Sequence, residues 1–133
     1  MGNFWRIKID SRVDMNTIKR VGTKPTYSEA VIHNKTVYLS GQVPWLTAGQ
    51  TMYEQACEVF ELIDKALLEA GSNKTQIISL QVFLKNPEDY SEMNRAFIMW
   101  MPDGYSPVRN TICGVQFPTH NWAIEVVVVA ALI

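Results

Sequence analysis

The C-terminal run AIEVVVVAALI, Ala123 to Ile133, constrains this chain more than any other stretch. It is rich in β-branched residues, so it reads as a strand rather than a helix. A strand with one wet face alternates apolar and polar residues, but this one is apolar at every position from Val126 to Leu132. That pattern asks for cover on both faces of the sheet. It is too short to cross a bilayer. Its one charge, Glu125, stands near its start. A second strand-like stretch, SPVRNTICGVQF from Ser106 to Phe117, also carries a single charge, Arg109.

Upstream, IKRVG reads as a short strand. EAVIHNKTVYLSG reads as a hairpin around the turn His33-Asn34-Lys35. Thr51 and Glu54 form a capping-box pair that opens a helix. Ala56, Val59, Phe60, Ile63, Ala66, Leu67 and Ala70 recur behind it at helical spacing, and Gly71 supplies the left-handed stop. IISLQVFL alternates as a strand and is broken at Asn86-Pro87. A second helix is expected to turn Tyr90, Met93, Phe97 and Trp100 or Met101 inward. Two strands, VRNTICGVQF and AIEVVVVAAL, close the chain around a turn at Pro118.

This order predicts an α+β domain, a mixed sheet with two helices packed on one face. At 133 residues and 47% hydrophobic content there is one core and nothing left to cover the second face. Another copy of the chain is the expected cover, so a homo-oligomer is anticipated. Residues 1–14 mix charge and aromatic residues without a period. They read as an N-terminal extension, of the kind an expression tag leaves, ahead of a single domain over 15–133.

Several classes are disfavoured. A formal net charge of −1 without a basic block argues against nucleic acid. Cys57, Cys113, His33 and His120 show no ligand spacing, so no metal is expected, and the two cysteines read as structural thiols. So few cysteines point to a reducing cytoplasm. No membrane segment or signal sequence is evident.

Alternate strand residues share a face, which groups Arg109 with Thr111 and Cys113, and Glu125 with Val127 and Val129. If the last two strands form a hairpin, Arg109 and Glu125 approach one another. Two readings stay open. One is a structural ion pair. The other is a site in which the Arg109 guanidinium forks a carboxylate and Glu125 handles water or a proton.

Several segments resemble the Rid family, the YjgF-like reactive imine/enamine deaminases also labelled endoribonuclease L-PSP. The matching segments are VYLSGQVP, PVRNT, IEVVVVAAL and LEAGSNKTQIISLQVFLKNPEDYSEMNRAF. The resemblance runs from about Ile18 to the end. It implies a chorismate-mutase-like fold, a homotrimer with clefts between subunits, and no cofactor. It also implies hydrolysis of small 2-imino acids, with enamine forms such as 2-aminoacrylate, to 2-oxo acids and ammonia. Arg109 would grip the substrate carboxylate and Glu125 would orient water. Tyr27, Ser40, Gly41, Asn94 and Thr111 would contact substrate. A binder or sensor of small carboxylates on the same fold is the alternative. The chain departs from the family pattern at Lys24-Pro25-Thr26, at Thr111 where many members have Cys, and in a shorter loop bearing Trp45.

Overall fold

The computed structural model describes residues 16–133; the expected extension, residues 1–14, lies outside them. Six strands form one mixed sheet covered on one face by two helices. In chain order the elements are β1 (Lys19–Thr23), β2 (Ser28–His33), β3 (Thr36–Leu39), α1 (Met52–Ala70), β4 (Ile77–Leu84), α2 (Tyr90–Trp100), β5 (Val108–Cys113) and β6 (Ile124–Ala131). Their order across the sheet is β1-β2-β3-β6-β4-β5. The expected α+β arrangement is therefore present.

Local chemistry explains the elements. Asn34 and Lys35 take φ of 50° and 62°, the left-handed pair that a tight β2–β3 hairpin requires. Thr51 caps α1 through the Glu54 N–H, and the Glu54 carboxylate accepts from the Thr51 N–H, completing the capping box. Gly71 ends the helix at φ 90°, where its N–H reaches the carbonyls of Leu67 and Leu68.

The core lies between the helices and one sheet face. Leu80, Val82 and Leu84 of β4 pair in register with Val128, Val126 and Ile124 of β6, and all six are buried. Val59, Phe60, Ile63 and Leu67 of α1 join them in one cluster with Met93 and Phe97 of α2. Burial along β6 alternates strictly: Ile124, Val126, Val128 and Ala130 are buried, while Glu125, Val127, Val129 and Ala131 are half-buried on the opposite, open face. In the single chain the all-apolar strand therefore has full cover on one side only.

Four expectations need correction. β5 and β6 do not form a hairpin. β5 pairs in parallel with β4, α2 being the crossover, and β6 lies between β3 and β4. A parallel pair needs a long connection, and the Lys85 to Pro107 segment with its helix supplies one. β5 stops at Cys113 rather than Phe117, because Gly114 turns the backbone to φ 82°. Tyr90 is not turned inward; it is 44% exposed at the start of α2. Cys57 and Cys113 are exposed free thiols, not core residues.

Candidate functional site

The sheet separates the two charges. Arg109 pairs in register with Leu80, which faces the helices, so Arg109 shares the helix face. Glu125 pairs with Phe83 and shares the open face. With β4 between them and opposite faces beneath them, the two do not form an ion pair within one chain. That removes the intrachain version of the structural reading.

Arg109 is held from α2. Its Nη1 donates to Asn94 Oδ1 at 2.7 Å and its Nη2 to the Tyr90 hydroxyl at 3.0 Å. The guanidinium carbon lies 4.9 Å from the centre of the Phe97 ring. Phe97 packs edge-on against Phe60 and Trp100, whose rings stack 4.6 Å apart. The cation thus rests on an aromatic ring fixed in the core, with the rest of its planar donor fork uncommitted. Thr111 lies two residues along β5 on the same face, in register with Val82. Tyr90 and Phe97 were not anticipated as supports for Arg109. Tyr90, Asn94 and Phe97 follow one another at helical i, i+4, i+7 spacing, and that stripe was the available signal.

The second group gathers where β3 leaves the sheet. Tyr38 is opposite Val129, and the isolated bridge beyond joins Gln42 to Val126. Four steps along the β3 side therefore match three along β6. This is a β-bulge at Ser40-Gly41, which adds a residue and re-aims the backbone. The bulge is fixed by the Gln42 side chain, whose Nε2 donates to the Ser40 carbonyl at 3.0 Å. Paired backbone bonds between Gln42 and Val126, 2.9 and 3.1 Å, hold its far side. Gly41 lies against the Glu125 side chain so closely that a β-carbon there would collide with the carboxylate. Glycine is needed for space rather than for an unusual φ.

Tyr27 precedes β2 and is half exposed. The Ser40 N–H still donates to the Glu29 carbonyl at 3.0 Å, so β2–β3 pairing continues to the bulge and brings Tyr27 to the same end of the sheet. Among the described residues, neither the Ser40 hydroxyl nor the Glu125 carboxylate has a hydrogen-bond partner. Partial burial pushes the Glu125 carboxyl above the usual carboxylate range.

The seven candidate residues therefore fall into two clusters. Arg109, Asn94 and Thr111 form one on the helix side of β5. Glu125, Gly41 and Ser40 meet at the β3–β6 seam, with Tyr27 at the same end of the sheet ahead of β2. No group of three or more His, Cys, Asp or Glu among the described residues could hold a metal. No helix among them is long and apolar enough to cross a membrane.

Fold and clusters define a class: a small α+β chain bearing a tethered guanidinium beneath its helices and a shielded carboxylate on its open sheet face. Residues 17–132 match the family model described as endoribonuclease L-PSP. A RutC family protein of Haemophilus influenzae is 40% identical over 114 residues, covering 86% of this chain and 97% of the relative. The RutC family protein YoaB of Escherichia coli is 35% identical over 117 residues, with 87% and 99% covered. A crystal structure of a YjgF family member from Neisseria meningitidis superposes with a TM-score of 0.85 at 32% identity, covering 90% of this chain and 98% of that one. The chain belongs to this L-PSP family, which includes the RutC and YjgF proteins.

Proposed function

We propose that the protein hydrolyses small 2-imino acids, and the enamines in equilibrium with them, to 2-oxo acids and ammonia. The reaction takes place in clefts where the Arg109 cluster of one copy meets the Glu125 cluster of another in a homotrimer. The observation that carries this reading is that Arg109 and Glu125 stand on opposite sheet faces, each without a counter-ion among the described residues. The half-buried apolar face with Tyr38, Val127 and Val129 supports a second copy as cover. Oligomers of this kind are expected to run as trimers in light scattering, and a stable monomer at micromolar concentration would refute the assembly.

The chemistry needs little more than placement. The Arg109 fork holds the substrate carboxylate through paired donors. The C=N carbon is already electrophilic. Glu125 takes a proton from the attacking water and delivers it to nitrogen, giving a carbinolamine. A second proton moves from the new hydroxyl to nitrogen as the C–N bond breaks and C=O forms, releasing ammonia. Partial burial raises the Glu125 carboxyl, which favours its holding a proton between the two transfers. The backbone at Gly41 lies against that carboxylate, and Ser40 precedes it in the bulge.

The test is a steady-state deamination assay on freshly generated 2-iminobutyrate, beside calorimetric titration with an unreactive 2-oxo acid. Ammonia release faster than the uncatalysed reaction supports the reading. Binding without turnover would end it and leave a carboxylate binder. Against nucleic-acid cleavage stands the net charge of −1, which offers a phosphate backbone little attraction.

A further inference from the structure

We propose that Tyr90 binds substrate directly: its hydroxyl accepts a hydrogen bond from Arg109 and donates its own proton to the carboxylate that Arg109 grips. The inference rests on the proposed function above and adds a residue to the substrate-binding set.

Chemistry fixes the direction of each bond. A guanidinium carries N–H donors and no acceptor, so its partners must present oxygen lone pairs. Tyr90 does so to Nη2 at 3.0 Å, and Asn94 turns Oδ1 to Nη1 at 2.7 Å. A phenol whose oxygen accepts still has a proton to give. Among the described residues nothing takes that proton, and nothing takes the Asn94 amide protons. An O–H whose oxygen accepts from a cation is also polarised into a stronger donor.

The two rings beside Arg109 do different things. Phe97 is buried, 4.9 Å from the guanidinium carbon, and supplies the aromatic face. The Tyr90 ring is farther away, at 5.7 Å, and meets the cation through its hydroxyl from an exposed position at the start of α2. A tether alone needs only an acceptor, which a main-chain carbonyl would provide. A hydroxyl differs by leaving a donor behind. The groups that remain unpaired on these three side chains are therefore all donors: the other Arg109 N–H groups, the Asn94 amide and the Tyr90 hydroxyl. A carboxylate, with about four lone-pair sites on its two oxygens, accepts from such a set; a neutral amide would bring N–H groups of its own against it. Tyr90 and Asn94 are one helical turn apart on α2, so both stand ready before any ligand arrives.

The experiment is an NMR titration with pyruvate, an unreactive 2-oxo acid. It is run on the wild type, Tyr90→Phe, Tyr90→p-aminophenylalanine and Arg109→Lys, with light scattering on each preparation. Phenylalanine removes both the donor and the acceptor. The amino ring restores N–H donors but accepts weakly, because its lone pair is delocalised into the ring. Tyr90→Phe is expected to lower pyruvate affinity about tenfold, the low end for a bond to a charged partner. The amino ring should recover affinity to within about threefold of wild type. Wild-type affinity in Tyr90→Phe would overturn the contact. Equal losses in both Tyr90 variants would overturn it in favour of a positioning role on Arg109. Dissociation of the oligomer by Tyr90→Phe would overturn it in favour of a subunit contact. Pyruvate that fails to bind the wild type, or binds Arg109→Lys equally well, would overturn the Arg109 grip itself and the Tyr90 contact with it.

Discussion

Glu58→Gln tests how firmly the Trp45 loop is tied to α1. Burial alone pushes the Glu58 carboxyl up. The Thr47 hydroxyl and the N–H groups of Leu46, Thr47 and Trp45 together outweigh burial and hold it below the usual carboxylate value. A depressed folded value means the native state binds fewer protons than the unfolded one. The stabilisation is therefore complete above the ordinary carboxylate pKa and is lost as pH falls through the lowered one. Glutamine keeps one acceptor oxygen but turns an NH2 toward the Leu46 N–H, now 2.9 Å from Oε2, and removes the charge. Charge-assisted bonds contribute about 1.5–3 kcal/mol where sheltered, but Glu58 is only partly buried, so the expected loss is about 1 kcal/mol at pH 7. For a domain of this size that is a fall of a few degrees in Tm. Melting wild type and variant between pH 3 and 8 measures it. The two curves should converge in acid. Equal Tm at pH 7, or a gap of the same size at pH 3, would refute the assignment of the loop tether to the ionised carboxylate.

Three further substitutions bear on the two clusters. Gly41→Ala forces the Glu125 carboxylate aside, and since misplacement of about 1 Å can cost 10²-fold, deaminase kcat should fall by that order with a stability loss near the low end of the 1–3 kcal/mol typical of overpacking; unchanged turnover would show that the carboxylate's position is immaterial. Arg109→Lys keeps the charge but loses the fork, so 2-oxo acid affinity by calorimetry should drop tenfold or more while light scattering shows the oligomer intact; dissociation with unaltered affinity would assign Arg109 to an ion pair between subunits instead. Glu125→Gln should lower kcat by about 10²–10⁴ while a 2-oxo acid still binds through Arg109; equal kcat in steady state would remove Glu125 from the chemistry.

Much of the fold was legible because local and global signals agree. Thr51, Glu54 and Gly71 mark both ends of α1, and its apolar spacing names the buried face. Asn34-Lys35 supplies the hairpin turn. What failed was strand adjacency. Alternation along β5 and β6 says which residues share a face, but not which strand lies next. Neighbours in sequence pair often enough that a hairpin was the default expectation. Here β6 enters between β3 and β4, and β5 reaches the sheet edge by a helical crossover. Tyr90 failed for a related reason. Its ring fits an apolar stripe, but a phenol at the first turn of a helix can keep its hydroxyl outside the core, and this one meets Arg109.

The candidate site was legible as residues and not as geometry. Single charges in core-like strands marked Arg109 and Glu125, because a charge in such a setting needs a partner or a purpose. Spacing could not separate those two needs while a hairpin remained possible. The sheet order separates them. Arg109 is satisfied in part by neutral acceptors, Asn94 and Tyr90, which orient the guanidinium without cancelling its charge. Glu125 is shielded without a cation beside it among the described residues, which raises the energy of its ionised form. A counter-charge from outside the chain relieves both, whether it comes from a substrate carboxylate on Arg109 or a cationic iminium near Glu125. A 2-imino acid whose nitrogen is protonated carries both charges in one molecule, on atoms three bonds apart. If two copies of the chain bring the clusters together, as the proposed function requires, one small zwitterion could engage both.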